Sequence, residues 1–112
     1  MKFTESLKSN EDFRTVYKKG RSFANKYIII YILGNDQDKN FLGISVSKKV
    51  GNSVVRHRVK RLLKENYRLH EDMLNSGFNI AVIARPAARD ADFKQIEKAM
   101  IHLFSLHKIL KN

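Results

Sequence analysis

Residues 45–64 read Ser-Val-Ser-Lys-Lys-Val-Gly-Asn-Ser-Val-Val-Arg-His-Arg-Val-Lys-Arg-Leu-Leu-Lys, with seven lysines or arginines and no acid. From Asn52 onward, apolar residues recur every three or four positions, as one face of a helix requires. They are Val55, Val59, Leu62, Leu63 and Leu69. The pattern predicts a helix that buries one face in a core and presents cations on the other.

The cationic side of this helix is unusually uniform in sign. Arg56, Lys60, Lys64 and Arg68 follow one another at intervals of four, His57 and Arg61 lie beside that row, and Arg58 lies at its flank. Glu65 is the only acid between Lys48 and His70. Like charges on one helix face repel, and an ordinary solvated face mixes both signs. The pattern therefore favours a polyanionic partner, with nucleic acid as the leading candidate.

The segment before the helix offers a second phosphate-binding feature. Lys48 and Lys49 precede Gly51, and Asn52 or Ser53 can cap the helix. Free backbone N–H groups at a helix N-terminus, flanked by lysines, suit a phosphate group. The alternative interpretation is an ordinary capped turn between a strand and a helix.

Composition limits the class of protein. The 112 residues carry 22 Lys or Arg against 11 acids, a formal charge of +11, and no cysteine. One domain spanning residues 1–112 is expected at this length. The absence of cysteine excludes disulfides and is typical of a reducing cytosol, so a cytoplasmic location is expected. The longest apolar run, 27–33, is too short to span a bilayer. Such a basic domain suits RNA, DNA or an anionic membrane surface.

The remaining patterns predict an α+β domain in the order α-β-β-α-β-α, with helices packed on one central sheet. Ser9 or Asn10 caps a first helix that ends at Gly20, and Asp90 or Asp92 begins the last. The cationic helix is expected to run to about residue 75. Strands are predicted at 26–33, 41–47 and 78–84.

Residues for protein-based catalysis are not apparent. No histidine has metal-ligand spacing, there is no cysteine, and no acids form an obvious pair for general acid/base chemistry. We therefore predict no catalytic residues and no metal site. The four histidines are His57, His70, His102 and His107.

The stretch 45–65 resembles the central motif of the bacterial ribonuclease P protein subunit, and the likeness continues through 10–20, 27–31 and 80–86. The family's Arg-Asn-Arg core reads Arg56-His57-Arg58 here. The resemblance implies a left-handed βαβ crossover that carries the cationic helix, in a fold similar to the ribosomal protein S5 domain 2-like fold.

The resemblance also implies a function. The family's protein is the accessory subunit of a ribonucleoprotein endonuclease whose RNA cuts the 5′ leader from precursor tRNA. Expected partners are thus the ribonuclease P RNA and precursor tRNA, with neither membrane nor DNA, and with Mg²⁺ held mainly by the RNA. Contacts to the RNA are expected from the loop and the cationic helix: Lys48, Lys49, Asn52, Arg56, His57, Arg58, Lys60, Arg61, Lys64 and Arg68.

Three aromatic residues fall where the family holds the single-stranded leader: Phe13, Tyr17 and Tyr31. Aromatic faces stack on unpaired bases with little sequence preference, although plain core packing is the alternative for Phe13 and Tyr17. Two other classes remain open. A basic ribosomal or RNA-chaperone protein would share the charge without needing these aromatics, and a membrane-surface or DNA-binding module would need only the charge.

Overall fold

The apolar patterns of the sequence fold into five strands and three helices. The computed structural model describes all residues, Met1–Asn112. Two short 3₁₀ turns, Glu71–Met73 and Pro86–Asp90, flank the last strand. The elements in chain order are β1 (Thr4–Ser6), α1 (Asn10–Lys19), β2 (Arg21–Ala24), β3 (Ile28–Gly34), β4 (Asn40–Ser45), α2 (Ser53–His70), β5 (Phe78–Ala84) and α3 (Phe93–Leu106).

The strands form one mixed sheet in the order β1-β4-β5-β3-β2. β4 runs parallel to both β1 and β5, whereas β3 is antiparallel to both β5 and β2. β4, α2 and β5 therefore form a parallel βαβ unit, with the cationic helix as its crossover. The predicted α+β class, with helices packed on one central sheet, is confirmed. No helix is long and apolar enough to cross a membrane.

The two faces of the sheet are covered unequally. Ile28 and Ile30 of β3 are fully buried in the main core, together with residues of α2 and α3 such as Leu63 and Phe104. On the opposite face, Val16 of α1 packs in a smaller cluster with Leu7 and Ala81, and several half-buried aromatics border it. One face of the sheet is thus closed by two helices, while α1 leaves part of the other face open.

The prediction missed the two edge strands, β1 and β2. Each has only three or four residues, and most of their side chains are exposed. Such short strands carry too little apolar alternation to be recognised; their pairing with β4 and β3 comes from the tertiary fold. The predicted 78–84 strand is confirmed, and the other two predicted strands are each displaced by one or two residues at their ends.

The ends of α1 agree with prediction in position but not fully in cause. The Ser9 hydroxyl accepts a hydrogen bond from the Asp12 N–H at 3.0 Å, as expected of an N-cap. Gly20 ends the helix with an extended backbone, at φ −78°, rather than in a left-handed conformation. Glycine is needed there for space, because a Cβ would lie 2.5 Å from the Val16 carbonyl oxygen.

The prediction for α2 was wrong at its C-terminal end. The helix ends at His70, and the chain continues as a 3₁₀ turn instead of running to residue 75. Leu69, placed on the buried face by its apolar character, is 52% exposed. The core-facing positions are held instead by Asn66 and Tyr67, both fully buried. The position of a residue around the helix, rather than its apolar character, decides whether it is buried here, because Leu69 lies about 120° away from Leu63 around the helix axis.

A buried polar network joins β1, β4, α2 and β5. The Asn40 side chain donates to the Asn75 carbonyl at 3.2 Å and accepts from the Phe78 N–H at 2.9 Å. The Tyr67 hydroxyl lies 3.4 Å from the Asn40 amide nitrogen and 2.8 Å from the Thr4 hydroxyl. The network therefore fixes β1 and the start of β5 on the main body of the domain.

His107 gives the fold a pH dependence. Its Nε2 donates to the Ile30 carbonyl at 2.8 Å, and its ring packs edge-on against Phe23, with 4.8 Å between ring centroids. Burial lowers the pKa of His107 below its ordinary value of 6.5, and this outweighs the opposing hydrogen bond to Ile30. Below about pH 6.5, His107 is protonated in the unfolded chain but still neutral in the folded protein. The free energy of unfolding therefore decreases as the pH is lowered, until the pH reaches the pKa of His107 in the folded protein.

We expect urea unfolding to show this loss between pH 7 and pH 5. His107→Gln keeps an N–H donor for Ile30 but cannot titrate, so its stability should fall less over the same interval. Carboxylates titrate equally in both proteins, and the difference between the two pH profiles isolates His107. Parallel profiles for the two proteins would contradict the assignment.

Candidate nucleic-acid interface

The loop before α2 is built as a helix N-terminus with cations on it. The Asn52 side chain accepts a hydrogen bond from the Val55 N–H at 3.0 Å, which confirms the predicted cap. Val50 is buried and anchors the loop, whereas Lys48 and Lys49 are exposed. The positive end of the helix dipole therefore follows a loop with two exposed lysines, an arrangement suited to a phosphate.

The cations of α2 do not form one straight face opposite the core. A row at intervals of four drifts by about 40° per step, so Arg56 and Arg68 lie about 120° apart around the helix and Arg56 comes closest to the apolar face. Arg56 is half-buried beside the core, and its Nη1 donates to the Gly51 carbonyl at 3.3 Å. Arg61 lies opposite Val59 and Leu63 and is exposed. The predicted placement of Arg56 opposite the core was therefore wrong.

The remaining predicted cations differ in how free they are. Lys60, Arg61 and Lys64 are exposed and form no ion pair. Arg68 forms a two-point ion pair with Glu65, at 2.5 Å and 3.1 Å. The Arg58 guanidinium donates to the Arg89 carbonyl, which ties α2 to the 3₁₀ turn after β5. His57 is exposed. Lys60, Arg61 and Lys64 are thus the lysines and arginines of α2 whose side chains form neither an ion pair nor a hydrogen bond within the chain.

Lys60 and Lys64 also line a groove of about 620 Å³ between α2 and the N-terminal segment, which we call the α2 groove. Lys8 and Phe13 line it from the other side. Glu5 is the one acid in the lining, and it is paired with Lys39. Sequence reasoning missed Lys8, because it lies in a segment with no periodic pattern.

The three predicted aromatics do come together, and we call them the aromatic cleft. The ring centroids of Phe13 and Tyr17 lie 6.0 Å apart, and those of Tyr17 and Tyr31 lie 5.0 Å apart with the rings nearly perpendicular. Tyr17 is 36% exposed, and the other two are half-buried. Partial burial, together with the neighbouring Tyr31, raises the pKa of Tyr17, so its hydroxyl stays neutral near pH 7. The cleft combines packed edges with accessible ring surface.

A second groove, of about 480 Å³, adjoins this cleft between α1 and β4. Asn10, Arg14 and Ser45 supply its polar groups, and Phe13 and Tyr17 supply its aromatic wall. Phe13 therefore borders both this groove and the α2 groove. Asn10 and Arg14 were not predicted, although they share the helical spacing of Phe13 and Tyr17, four residues apart.

Gly43 of β4 makes room for the Phe13 ring. A Cβ at this position would lie 2.2 Å from the Phe13 Cζ, far inside van der Waals contact. Only a residue without a side chain lets the ring lie directly on the strand. Nothing in the sequence distinguishes this glycine from one that marks a bulge or a bend.

The strand predicted at 26–33 would place Tyr27, by its alternation, on the same face as Tyr31, and this is wrong. β3 begins only at Ile28, so the alternation does not extend to Tyr27. Its ring packs against the main core on the α3 side, with the Lys26 ammonium 5.4 Å from the ring centroid. The aromatic cleft therefore contains three rings.

No group of three or more His, Cys, Asp or Glu side chains could hold a metal ion. The chain's own donors thus do not fit a magnesium site.

Comparison with known proteins agrees in sequence and in three dimensions. A sequence model of the ribonuclease P family matches residues 1–108. The ribonuclease P protein component of Lachnoclostridium phytofermentans is 50% identical over 109 residues, covering 97% of this chain and 94% of its own length. That of Alkaliphilus metalliredigens is 52% identical over 110 residues, covering 98% of this chain and 99% of its own length.

A solved structure shows the same fold. The RNase P protein of Staphylococcus aureus superimposes with a TM-score of 0.86 at 38% sequence identity, covering 97% of this chain and 98% of its own. The match thus spans the cationic helix, the sheet and the aromatic cleft together. The chain belongs to the ribonuclease P protein family.

Proposed function

We propose that this chain, as the protein subunit of ribonuclease P, holds the ribonuclease P RNA on α2 and the 5′ leader of precursor tRNA in the aromatic cleft. The observation that carries the proposal is the position of Phe13. Its ring borders the groove lined by Lys60 and Lys64 and also the groove lined by Tyr17 and Arg14. One RNA on α2 and one single strand in the cleft would therefore lie side by side.

The contacts to the catalytic RNA would be mainly electrostatic. Lys60, Arg61 and Lys64 have no intramolecular partner to give up, so phosphates can neutralise them at little cost. Arg68 must first exchange Glu65 for a phosphate, and Arg56 and Arg58 retain hydrogen bonds to backbone carbonyls. Lys48, Lys49, Asn52 and His57 complete the candidate surface at the exposed N-terminal end of α2.

The contacts to the leader would be stacking contacts. Phe13, Tyr17 and Tyr31 offer ring surface that every base can use, and Arg14 is placed to follow the phosphate backbone. A leader of varied sequence is the kind of ligand that such a surface accepts.

The chemistry would be left to the RNA. The chain lacks a donor set for magnesium, so Mg²⁺ would be bound mainly by the RNA, and the protein's part would be to bind and position. The protein would act in the cytoplasm, where the precursor tRNA substrate is made.

The test is leader-dependent binding by the complex reconstituted with a ribonuclease P RNA. Tyr17→Ala and Tyr31→Ala should each weaken binding of a precursor tRNA that carries a leader by about 1–2 kcal/mol, the usual value of one stacked base. Mature tRNA, which lacks the leader, should bind almost as tightly as to the wild type. Equilibrium binding of the two tRNAs in parallel gives both numbers.

Phe23→Ala is the matched control, because it removes a half-buried aromatic ring that packs on the main core outside the cleft. It should leave the difference between the two tRNAs unchanged. Equal losses for both tRNAs in folded Tyr17 and Tyr31 variants would show that these rings serve the core or the RNA subunit, as in a general RNA-binding protein.

Gly43→Ala offers an independent test of the cleft. The added methyl group occupies the place of the Phe13 ring edge, so the ring must leave the strand. We expect a loss of leader-dependent binding of about 1–3 kcal/mol, as if one stacking partner had been removed. Combining the change with Phe13→Ala should add little further loss. Additive losses in the double variant would mean that Gly43 acts otherwise than through Phe13.

A further inference from the structure

A third groove, also lined by cations, lies away from α2, between α3 and the turn that joins β2 to β3. It measures about 410 Å³, and we call it the α3 groove. Its lining contains no acid and consists of Asn25, Lys26, Tyr27, Gln95, Lys98, Ala99 and His102. Lys98 and His102 lie one turn apart on α3, and Lys94 lies one turn earlier. The exposed side of α3 thus repeats, in shorter form, the cationic pattern of α2.

The charges in this groove are unpaired. None of Lys26, Lys98 and His102 forms an ion pair. The acids nearest in sequence are engaged elsewhere: Asp92 caps α3 through the Gln95 N–H, and Glu97 binds His70 at 2.9 Å. An ordinary solvated helix face would place acids among these cations.

The groove is also held in shape. The Asn25 amide donates to the Ala99 carbonyl at 2.9 Å, and its oxygen accepts from the N–H groups of Tyr27 and Ile28. The Arg85 guanidinium donates to the Asn25 carbonyl at 2.9 Å and brings a further cation to the turn. Tyr27 adds a half-buried ring with Lys26 above it. A fixed turn with cations beside an aromatic ring is a combination that binds unpaired nucleotides.

This groove and the α2 groove lie at opposite edges of the sheet. β2 and β1 form opposite edges of the sheet, with the α3 groove beside β2 and the α2 groove beside β1. We propose that the α3 groove is a second binding site for a single-stranded RNA segment, distinct from the segment on α2 and from the aromatic cleft. The choice of RNA as the ligand rests on the proposed function. The existence of the groove and its unpaired lysines follows from the structure alone.

The site can be tested by NMR titration of ¹⁵N-labelled protein with a short single-stranded RNA of mixed sequence that cannot base-pair. Amides at 25–27 and 98–102 should shift on binding, with a saturation curve separate from that of the α2 amides. Lys26→Ala/Lys98→Ala should weaken the binding that the first set reports and leave the second set unchanged. For the α3 site, the slope of log K against log salt should flatten by about 1.4, the value for two phosphates on a single strand.

Two variants serve as controls. Lys60→Ala/Lys64→Ala should weaken the α2 shifts and leave the α3 shifts, and Lys2→Ala/Lys111→Ala, which removes equal charge elsewhere, should preserve both. The proposal is overturned if the α3 amides do not move, if they are lost with Lys60 and Lys64, or if the charge-matched control weakens them equally. If the amides of the aromatic cleft, at 13, 17 and 31, fail to respond while those of the α3 groove do, the proposed binding of the leader fails and the second site stands.

Discussion

Asn40→Leu should lower the free energy of unfolding by about 2–4 kcal/mol, because it leaves buried polar groups without partners. The Phe78 N–H loses its acceptor and the Asn75 carbonyl loses a donor, while the Tyr67 hydroxyl keeps only Thr4. Asn40 is fully buried, so water cannot replace these bonds without opening the structure. Against a typical total of about 5–15 kcal/mol, the loss would be severe.

Urea unfolding followed by circular dichroism measures the effect. Thr4→Val is the graded control: it removes one hydroxyl from the same network and should cost about 1 kcal/mol, the value of a single hydrogen bond. If Asn40→Leu stays within about 0.5 kcal/mol of the wild type, as ordinary surface changes do, the network does not hold the domain together.

Lys60→Ala/Lys64→Ala should produce the largest loss of RNA affinity among paired substitutions on α2. Both lysines are exposed, unpaired and directed into one groove, so each is free to neutralise one phosphate. If about five to seven phosphates are neutralised in all, log K should fall against log salt with a slope of roughly −4 to −6. The double variant should flatten that slope by about two.

Binding of the ribonuclease P RNA measured from low to high salt gives the slope directly. Lys2→Ala/Lys111→Ala removes the same charge outside α2. Lys2 pairs with Asp72, just after the C-terminal end of α2, and Lys111 lies over the Phe3 ring, so this variant should leave the slope almost unchanged. A steep slope retained in the Lys60 and Lys64 variant would show that the phosphates contact other residues.

Prediction from sequence succeeded where a pattern repeats over many residues. The 18-residue α2, the buried strand β5 and the aromatic pair on α1 all follow helical or strand periods that the chain itself displays. The resemblance to the family added Tyr31, whose distance of 5.0 Å from Tyr17 depends on the packing of α1 on β3.

Other features depend on neighbours that are distant along the chain. β1 pairs with β4, which lies 36 positions later in the chain, and a strand of three residues has no sequence pattern that predicts this pairing. In a helix that looks uniformly cationic in sequence, Glu65 offsets the charge of Arg68, and the Arg89 carbonyl fixes the position of the Arg58 guanidinium. Gly43 and the α3 groove become functional candidates only when the surfaces that meet there are known.

Because β5 lies at the centre of the sheet, the sheet cannot be completed until β5 has formed. β5 is the last strand to be synthesised, and both β3 and β4 need it as a neighbour. Until it forms, the antiparallel pair β2–β3 and the parallel pair β1–β4 have no common partner, and closing the long loop through α2 carries an entropic cost. We therefore expect the domain to fold and unfold in one cooperative step, so that its RNA-facing surfaces are gained or lost together.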